Sequence, residues 1–399
     1  MRIFVYEYTC ATVGSGPPLP LAQAMLGSAI GERRVARTEW RMANPEVGPT
    51  PRPLTPAGIR REGQAMRDAV AADFRAAGFE VITLDSVEPD RERQAFFDCL
   101  SRADAAFIIA PEFDHLLTTR CQWVESSGVL LLGTSAGVLN WLTDKWQQYL
   151  RLRKCDVAVP ESWLAQPTGI SPLVRKPRRG AGSWQVRLFG QTLPPRQKDD
   201  DCSRSTCESR IDQDRPATDS ESRRRNPRRS CAGKHGGITS AAPDTFSAPS
   251  TATEFESAKW LWQRYVPGTA ASIACLCGEN RRIFLRGGYQ LLSKDGQFRY
   301  LGGELPLPPP LEHRARRLAE ATLAAFPELR GYVGFDIVLG NDLAGREDYV
   351  IEINARLTTS YLGQRQLCRQ NLAEMLVRLL TGQPLAEPDW HPGRVRFHP

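Results

Sequence analysis

Residues 190–253 set the first limit on what this chain can fold into. Of these 64 residues only Leu193, Ile211, Ile238 and Phe246 are large apolar side chains. Arg, Asp, Ser and Pro dominate the rest, so burial cannot offset the segment's ordering entropy. We expect it to be disordered. It is either an insertion that loops out, at a closure cost that grows slowly with length, or a replacement for strands the fold would otherwise contain. A core must then be assembled from the two flanking stretches.

Those stretches are well supplied for it. The chain has 399 residues, 41% of them hydrophobic and 24% charged, which suits a globular protein of two or three domains. No apolar run approaches the ~18 residues of a membrane span, so no membrane partner is expected. The start, MRIFVYEYT, lacks the basic and long apolar regions of a secretory signal. Ten scattered cysteines complete no zinc pattern, and Cys275 and Cys277 stand without a partner pair. A cytoplasmic protein with reduced thiols is the expectation. The net charge of +7 suits an enzyme that handles anions or a weak nucleic-acid binder. SRRRNPRRS, at 222–230, is the natural candidate for the latter, but the tract holds 11 basic against 9 acidic residues and no interleaved aromatics. It reads as a solvated linker, and no nucleic-acid partner is expected.

Strand and helix signals alternate over the first 150 residues. Strands are expected at 2–6, 79–84, 105–110 and 129–132. An amphipathic helix at 59–77 carries Ile59, Met66, Val70 and Phe74. A second helix from Ala136 carries Val138, Leu142, Trp146 and Tyr149 on one stripe. Alternation of this kind predicts a parallel sheet covered by helices. The Pro/Gly-rich stretch at 14–56 is too long for an ordinary connection and is a candidate functional loop. Beyond the polar tract, strands are expected within 260–273 and 283–293, a helix at 314–326, strands at 332–339 and 349–354, and a helix at 371–380.

The chemistry concentrates in GYVGFDIVLG and DYVIEINARLTTS. Asp336 lies in one apolar strand, and Glu352 and Asn354 in the next. A short turn-like segment should pair the two strands, and the i, i+2 spacing puts Glu352 and Asn354 on one face. If Asp336 shares that face, three oxygen ligands converge beside Arg356, a set suited to Mg²⁺ bridging phosphates. A carboxylate among Val350, Ile351 and Ile353 needs a partner, which argues against a merely solvated hairpin. VRKPRRGAGS, at 174–183, places Lys176 just before a glycine turn, where backbone N–H groups can approach an anion. It matches neither a phosphate-binding P-loop nor a dinucleotide fingerprint. Asp144-Lys145 is read as lying inside the helix from Ala136.

Taken in order, the lysine, the glycine loop, WQRYVPG and the Asp…Glu-x-Asn-x-Arg series resemble the ATP-grasp superfamily of carboxylate–amine ligases. Within it, VYEYT and GYVGFDIVLG look most similar to the tyramine–glutamate ligase group of one-carbon cofactor synthesis. The resemblance implies an α/β and α+β architecture, with an N-terminal parallel-sheet (pre-ATP-grasp) domain followed by a two-subdomain ATP-grasp fold. The implied divisions are 1–135, 136–189, the 190–253 insertion, 254–285 with the adenine hinge, the metal-binding half at 286–385, and a tail at 386–399. Lys145 and Lys176 would contact ATP phosphates, and Gly180, Ala181 and Gly182 would close over them. Gln263, Arg264, Tyr265 and Val266 would form the adenine hinge. Asp336, Glu352 and Asn354 would hold Mg²⁺ or Mn²⁺. Arg356, with Lys176, would act on the transferring phosphate, and Glu112 would touch a substrate. The implied reaction joins a small-molecule acid and amine through an acyl phosphate, and a homodimer is the default assembly. The alternative is a degenerate module that binds ATP or a partner without ligation.

Overall fold

The computed structural model describes residues 1–12, 56–183, 185–190 and 258–398. The 190–253 tract, apart from Gly190, and the 14–56 stretch, apart from Pro56, lie outside those residues. Three sheets make up the described chain, within one compact unit.

The first is parallel. It contains β1 (Arg2–Glu7), β2 (Glu80–Thr83), β3 (Ala105–Ile109) and β4 (Leu130–Leu131), in the order β2-β1-β3-β4. Helices on both faces bury its inner strands: every residue of β1 but Arg2, and all five residues of β3, are buried. Helix α1 (Tyr8–Ala11) follows β1 directly, and α2 (Pro56–Ala76) lays Met66, Val70 and Phe74 against Ile3, Val5 and Phe107. On the other face, α3 (Glu92–Leu100) and α4 (Leu116–Ser127) cover Phe4 and Tyr6. Phe96 meets both of those rings edge-on, at 5.1 and 4.9 Å.

The helix expected to run on from Ala136 is two helices, α5 (Ala136–Leu142) and α6 (Lys145–Lys154). Asp144 takes an extended backbone between them and accepts the Trp146 N–H at 3.0 Å, so it caps α6. Its carboxylate also pairs with Arg178 at 2.7 Å. Lys145 therefore opens a helix and does not sit within one.

The second sheet is antiparallel: β5 (Ser162–Trp163), β6 (Leu173–Pro177), β7 (Arg187–Phe189) and β8 (Trp260–Arg264), in the order β5-β8-β6-β7. The third has seven strands. β9 (Thr269–Cys277), β10 (Arg282–Phe284), β11 (Gly288–Leu292), β12 (Tyr300–Leu305), β13 (Gly331–Leu339), β14 (Tyr349–Asn354) and β15 (Val395–Phe397) form it, with helices α7 (Pro309–Ala325), α8 (Tyr361–Leu367) and α9 (Leu372–Leu380). β9 and β10, expected in the smaller half, belong to this sheet, and so does β15 from the expected tail. β13 is hydrogen-bonded to β9 along its whole length. Gly331 joins this sheet to the first: its φ is +79°, and a Cβ there would lie 2.7 Å from the Gly133 Cα.

The turn between β13 and β14 is fixed from within. Asp348 is 2% exposed and pairs with buried Arg314 of α7, accepting from its Nε at 2.9 Å. It also accepts the Gly340 N–H at 3.0 Å. Removing one member of such a pair strands a buried charge. We therefore expect Asp348→Ala to lower stability by about 3–5 kcal/mol in equilibrium denaturation, against less than about 1 kcal/mol for the exposed Arg316–Glu320 pair.

Candidate active site

The antiparallel register of β13 and β14 sets Asp336 opposite Glu352 and Gly334 opposite Asn354. Asp336, Glu352 and Asn354 thus share one face, as their spacing suggested, and all three line a cavity of about 290 Å³. Asp336 accepts from Gln290 Nε2 at 2.7 Å and from Asn354 Nδ2 at 3.1 Å. Burial, and secondly the neighbouring Glu352, push its carboxyl up to about 6. The exposed edge of β14 is held by side chains of the smaller half. Gln148 of α6 bonds both the N–H and the carbonyl of Ile353, at 3.1 and 3.0 Å. Lys176 Nζ donates to the Ile351 carbonyl at 3.1 Å. These contacts fix where the carboxylates stand relative to the lysines.

Both lysines reach the site. Lys145, in the first turn of α6, donates to Glu352 Oε1 at 3.0 Å and to the Gly180 carbonyl at 2.8 Å, tying the glycine turn to the hairpin. Lys176, on β6, is 4% exposed. Burial lowers its ammonium to about 8, with Glu352 opposing that shift. Ala181 and Gly182 line the cavity, whereas Gly180 is not among the lining residues and a Cβ there would lie 2.8 Å from the Phe113 ring. Gln263, Arg264, Tyr265 and Val266 form a continuous stretch of wall. Gln263 is anchored on Ser162 Oγ at 3.0 Å, and Tyr265 is stacked near-parallel with Phe298 at 6.2 Å. The Arg264 head is engaged by Glu161 at 2.6 Å. Arg356 lines the cavity too, but Glu112 grips it with both oxygens, at 2.7 and 3.2 Å. Glu112, expected to meet a substrate, pairs with Arg356 and is not among the residues lining the cavity.

The cavity also takes in residues that sequence reasoning passed over: Glu7, Thr9, Glu62, Gln290 and Tyr300. Gln290 and Tyr300 stand in strands with no motif around them. Glu7 had one available signal, a carboxylate closing an otherwise apolar strand.

No three His, Cys, Asp or Glu side chains cluster as a metal cage among the described residues. The donor set fits magnesium all the same: two carboxylates and an amide, all hard ligands, too few to close the shell, leave positions for phosphate oxygens and water. The unmatched burial of Asp336 points the same way, since a cation would relieve it.

Residues 210–360 match the family model described as ATP-grasp domain, although that match begins outside the described residues. Residues 65–137 match the pre ATP-grasp 3 domain. Over those two stretches the chain is similar to the ATP-grasp and pre-ATP-grasp domains. A tyramine–L-glutamate ligase of Methanocaldococcus jannaschii is 29% identical over 126 residues, which is 32% of this chain and 38% of that protein. One of Methanocaldococcus fervens is 28% identical over 127 residues, 32% of this chain and 40% of that protein. The chain thus matches well under half the length of these curated relatives. A crystal structure described as an ATP-grasp superfamily protein of Archaeoglobus fulgidus superposes with a TM-score of 0.58 at 20% identity, covering 97% of this chain and 90% of that one. An L-amino acid ligase of Bacillus licheniformis gives 0.51 at 13%, covering 79% and 71%. Both likenesses concern the fold. No helix among the described residues is long and apolar enough to cross a membrane.

The raised Asp336 carboxyl gives a signed expectation. Its proton is held more tightly in the folded chain than in the unfolded one, so this contribution to stability is full below pH ~4 and lost as pH rises through 6. In EDTA at pH 7, Asp336→Asn should therefore be more stable than the wild type, by about 1–2 kcal/mol. Mg-ATP should raise the Tm of the wild type and leave that of the variant where it was. A variant less stable in EDTA, or one still shifted by Mg-ATP, would contradict the assignment.

Proposed function

We propose that the protein is an ATP-dependent ligase that joins a carboxylate to an amine through an acyl phosphate. One observation carries the reading: Lys176 and Arg356 line the same cavity as Asp336, Glu352 and Asn354, and Lys145 stands behind it, paired with Glu352 at 3.0 Å. Three cations beside a divalent-cation ligand set is the charge pattern of a phosphoryl-transfer site, where positioning and electrostatics do most of the work. Among the described residues, no Ser or Cys nucleophile beside a base lines the cavity, and this chemistry requires none.

In this reading the stretch 263–266 receives the adenine, and the backbone of Ala181 and Gly182 closes over the phosphates. Lys145 and Lys176 exchange their present partners, Glu352 and the Ile351 carbonyl, for phosphate oxygens. Asp336, Glu352 and Asn354 would hold Mg²⁺ or Mn²⁺, which would supply charge neutralisation for the phosphates. Arg356, oriented by Glu112, faces the oxygens of the phosphoryl group passing to the substrate carboxylate. An amine then attacks the acyl carbon, and phosphate leaves with the C–O bonding pair. L-Glutamate and tyramine, named by the curated relatives, are the first acid and amine to try.

The test is ADP release from Mg-ATP with a panel of amino and dicarboxylic acids, with hydroxylamine as amine acceptor. One acid should yield hydroxamate, and Arg356→Ala should lower kcat about 10²–10³-fold with the ATP KM changed far less. ATP binding with no hydroxamate from any acid would favour a nucleotide-binding module without ligase activity.

A further inference from the structure

The cavity has two chemically opposite halves. Toward the hairpin it presents Lys145's neighbours, Lys176 and Arg356. Toward the parallel sheet it presents Glu7, at the end of β1, and Glu62, on α2, with Ile59 and Met66 as apolar wall.

Neither glutamate is paired with a cation among the described residues. Glu7 is 2% exposed. Its Oε2 accepts from Thr9 Oγ1 and from the Cys10 N–H, both at 2.8 Å, and the Cys10 thiol adds a further hydrogen bond, but no cation pairs with it among the described residues. The Glu62 side chain makes no hydrogen bond among the described residues. Its charged neighbours are Arg356, already gripped by Glu112, and Arg61, which is exposed. Burial accordingly raises the Glu7 carboxyl and pushes Glu62 up to about 7. The backbone makes room for this arrangement: a Cβ on Gly63 would fall 2.5 Å from the Glu7 carboxyl carbon and from its Oε1. Two under-compensated carboxylates on an open cavity are costly unless a ligand supplies the missing charge.

We propose that Glu7 and Glu62 hold the ammonium group of a primary-amine substrate whose apolar body rests against Ile59 and Met66. The proximity of Glu62 to Arg356 puts that ammonium beside the centre where the acyl group would form. Phosphates and carboxylates are repelled from this half, which keeps acid and amine from exchanging places. To attack, the bound ammonium must first give up one proton to water, which frees the nitrogen lone pair; that role as attacking substrate rests on the ligase reading, but the binding does not.

The experiment is isothermal titration of the full chain with 2-phenylethylamine and with its neutral counterpart 2-phenylethanol. At pH 8 the amine is still protonated and Glu62 is ionised, with Arg356, Arg61, Glu7 and the neutral Tyr300 as its titratable or charged surroundings. The amine should bind at least tenfold more tightly than the alcohol, and Glu62→Gln should reduce that ratio below threefold. Glu7→Gln should do the same, and because Glu7 is deeply buried, the half-buried Glu62 variant keeps the test independent of folding. Equal binding of the two probes, binding of neither, or an unchanged ratio in Glu62→Gln would overturn the proposal. The two readings fail differently: without ligase chemistry no acid gives hydroxamate although the amine preference persists, whereas without an ammonium site hydroxamate forms and the preference is absent.

Discussion

Asp336 and Glu352 face each other across a β ladder, two carboxylates on one side of a hairpin whose other side is core. Like charges in that position repel, and burial raises the cost. The surrounding chain answers with Lys145 on Glu352, amide donors from Gln290 and Asn354 on Asp336, and Lys176 fixed to the backbone between them. Even so, Asp336 remains above the usual carboxylate range, and Lys176 below the usual ammonium range. The site is therefore under electrostatic load from both signs. A divalent cation and a polyphosphate would relieve both loads together.

The rest of the fold can be understood as the means of holding that pair in place. β13 is anchored by its full-length ladder to β9, and the hairpin turn by the Arg314–Asp348 pair. The outer edge of β14 is engaged at Ile353 by Gln148 and at Ile351 by Lys176, both from the smaller half. Asp144 ties the lysine helix to the glycine turn, as it caps α6 beneath Lys145 and pairs with Arg178 at the start of that turn. Several independent polar contacts thus fix the lysines against the hairpin to within hydrogen-bond tolerance.

Much of this was legible in the sequence, for a physical reason: strands buried on both faces and helices with one apolar stripe leave strong periodic signals. The parallel sheet, the α2 stripe and the β13–β14 hairpin all carried them, and the i, i+2 spacing of Glu352 and Asn354 conveyed their common face. The break at Asp144 did not register, because the apolar stripe continues through it and only the capping side chain marks the interruption. The pairing of Glu112 with Arg356 left no trace in the sequence, because the two lie 244 positions apart, a separation no local pattern encodes. Gln290, Tyr300 and Glu62 reach the cavity only through tertiary packing. Glu7 depends on an absence, the missing side chain of Gly63, that acquires meaning only once α2 is laid against β1.

The account turns on whether the converging charges transfer a phosphoryl group to a carboxylate. The most direct measurement is ³¹P NMR of the products formed from Mg-ATP, hydroxylamine and the acid that supports turnover, with that acid carrying ¹⁸O in its carboxylate. An acyl-phosphate route predicts ADP and inorganic phosphate bearing one ¹⁸O taken from the acid. Unlabelled phosphate, or AMP with pyrophosphate in place of ADP, would contradict it.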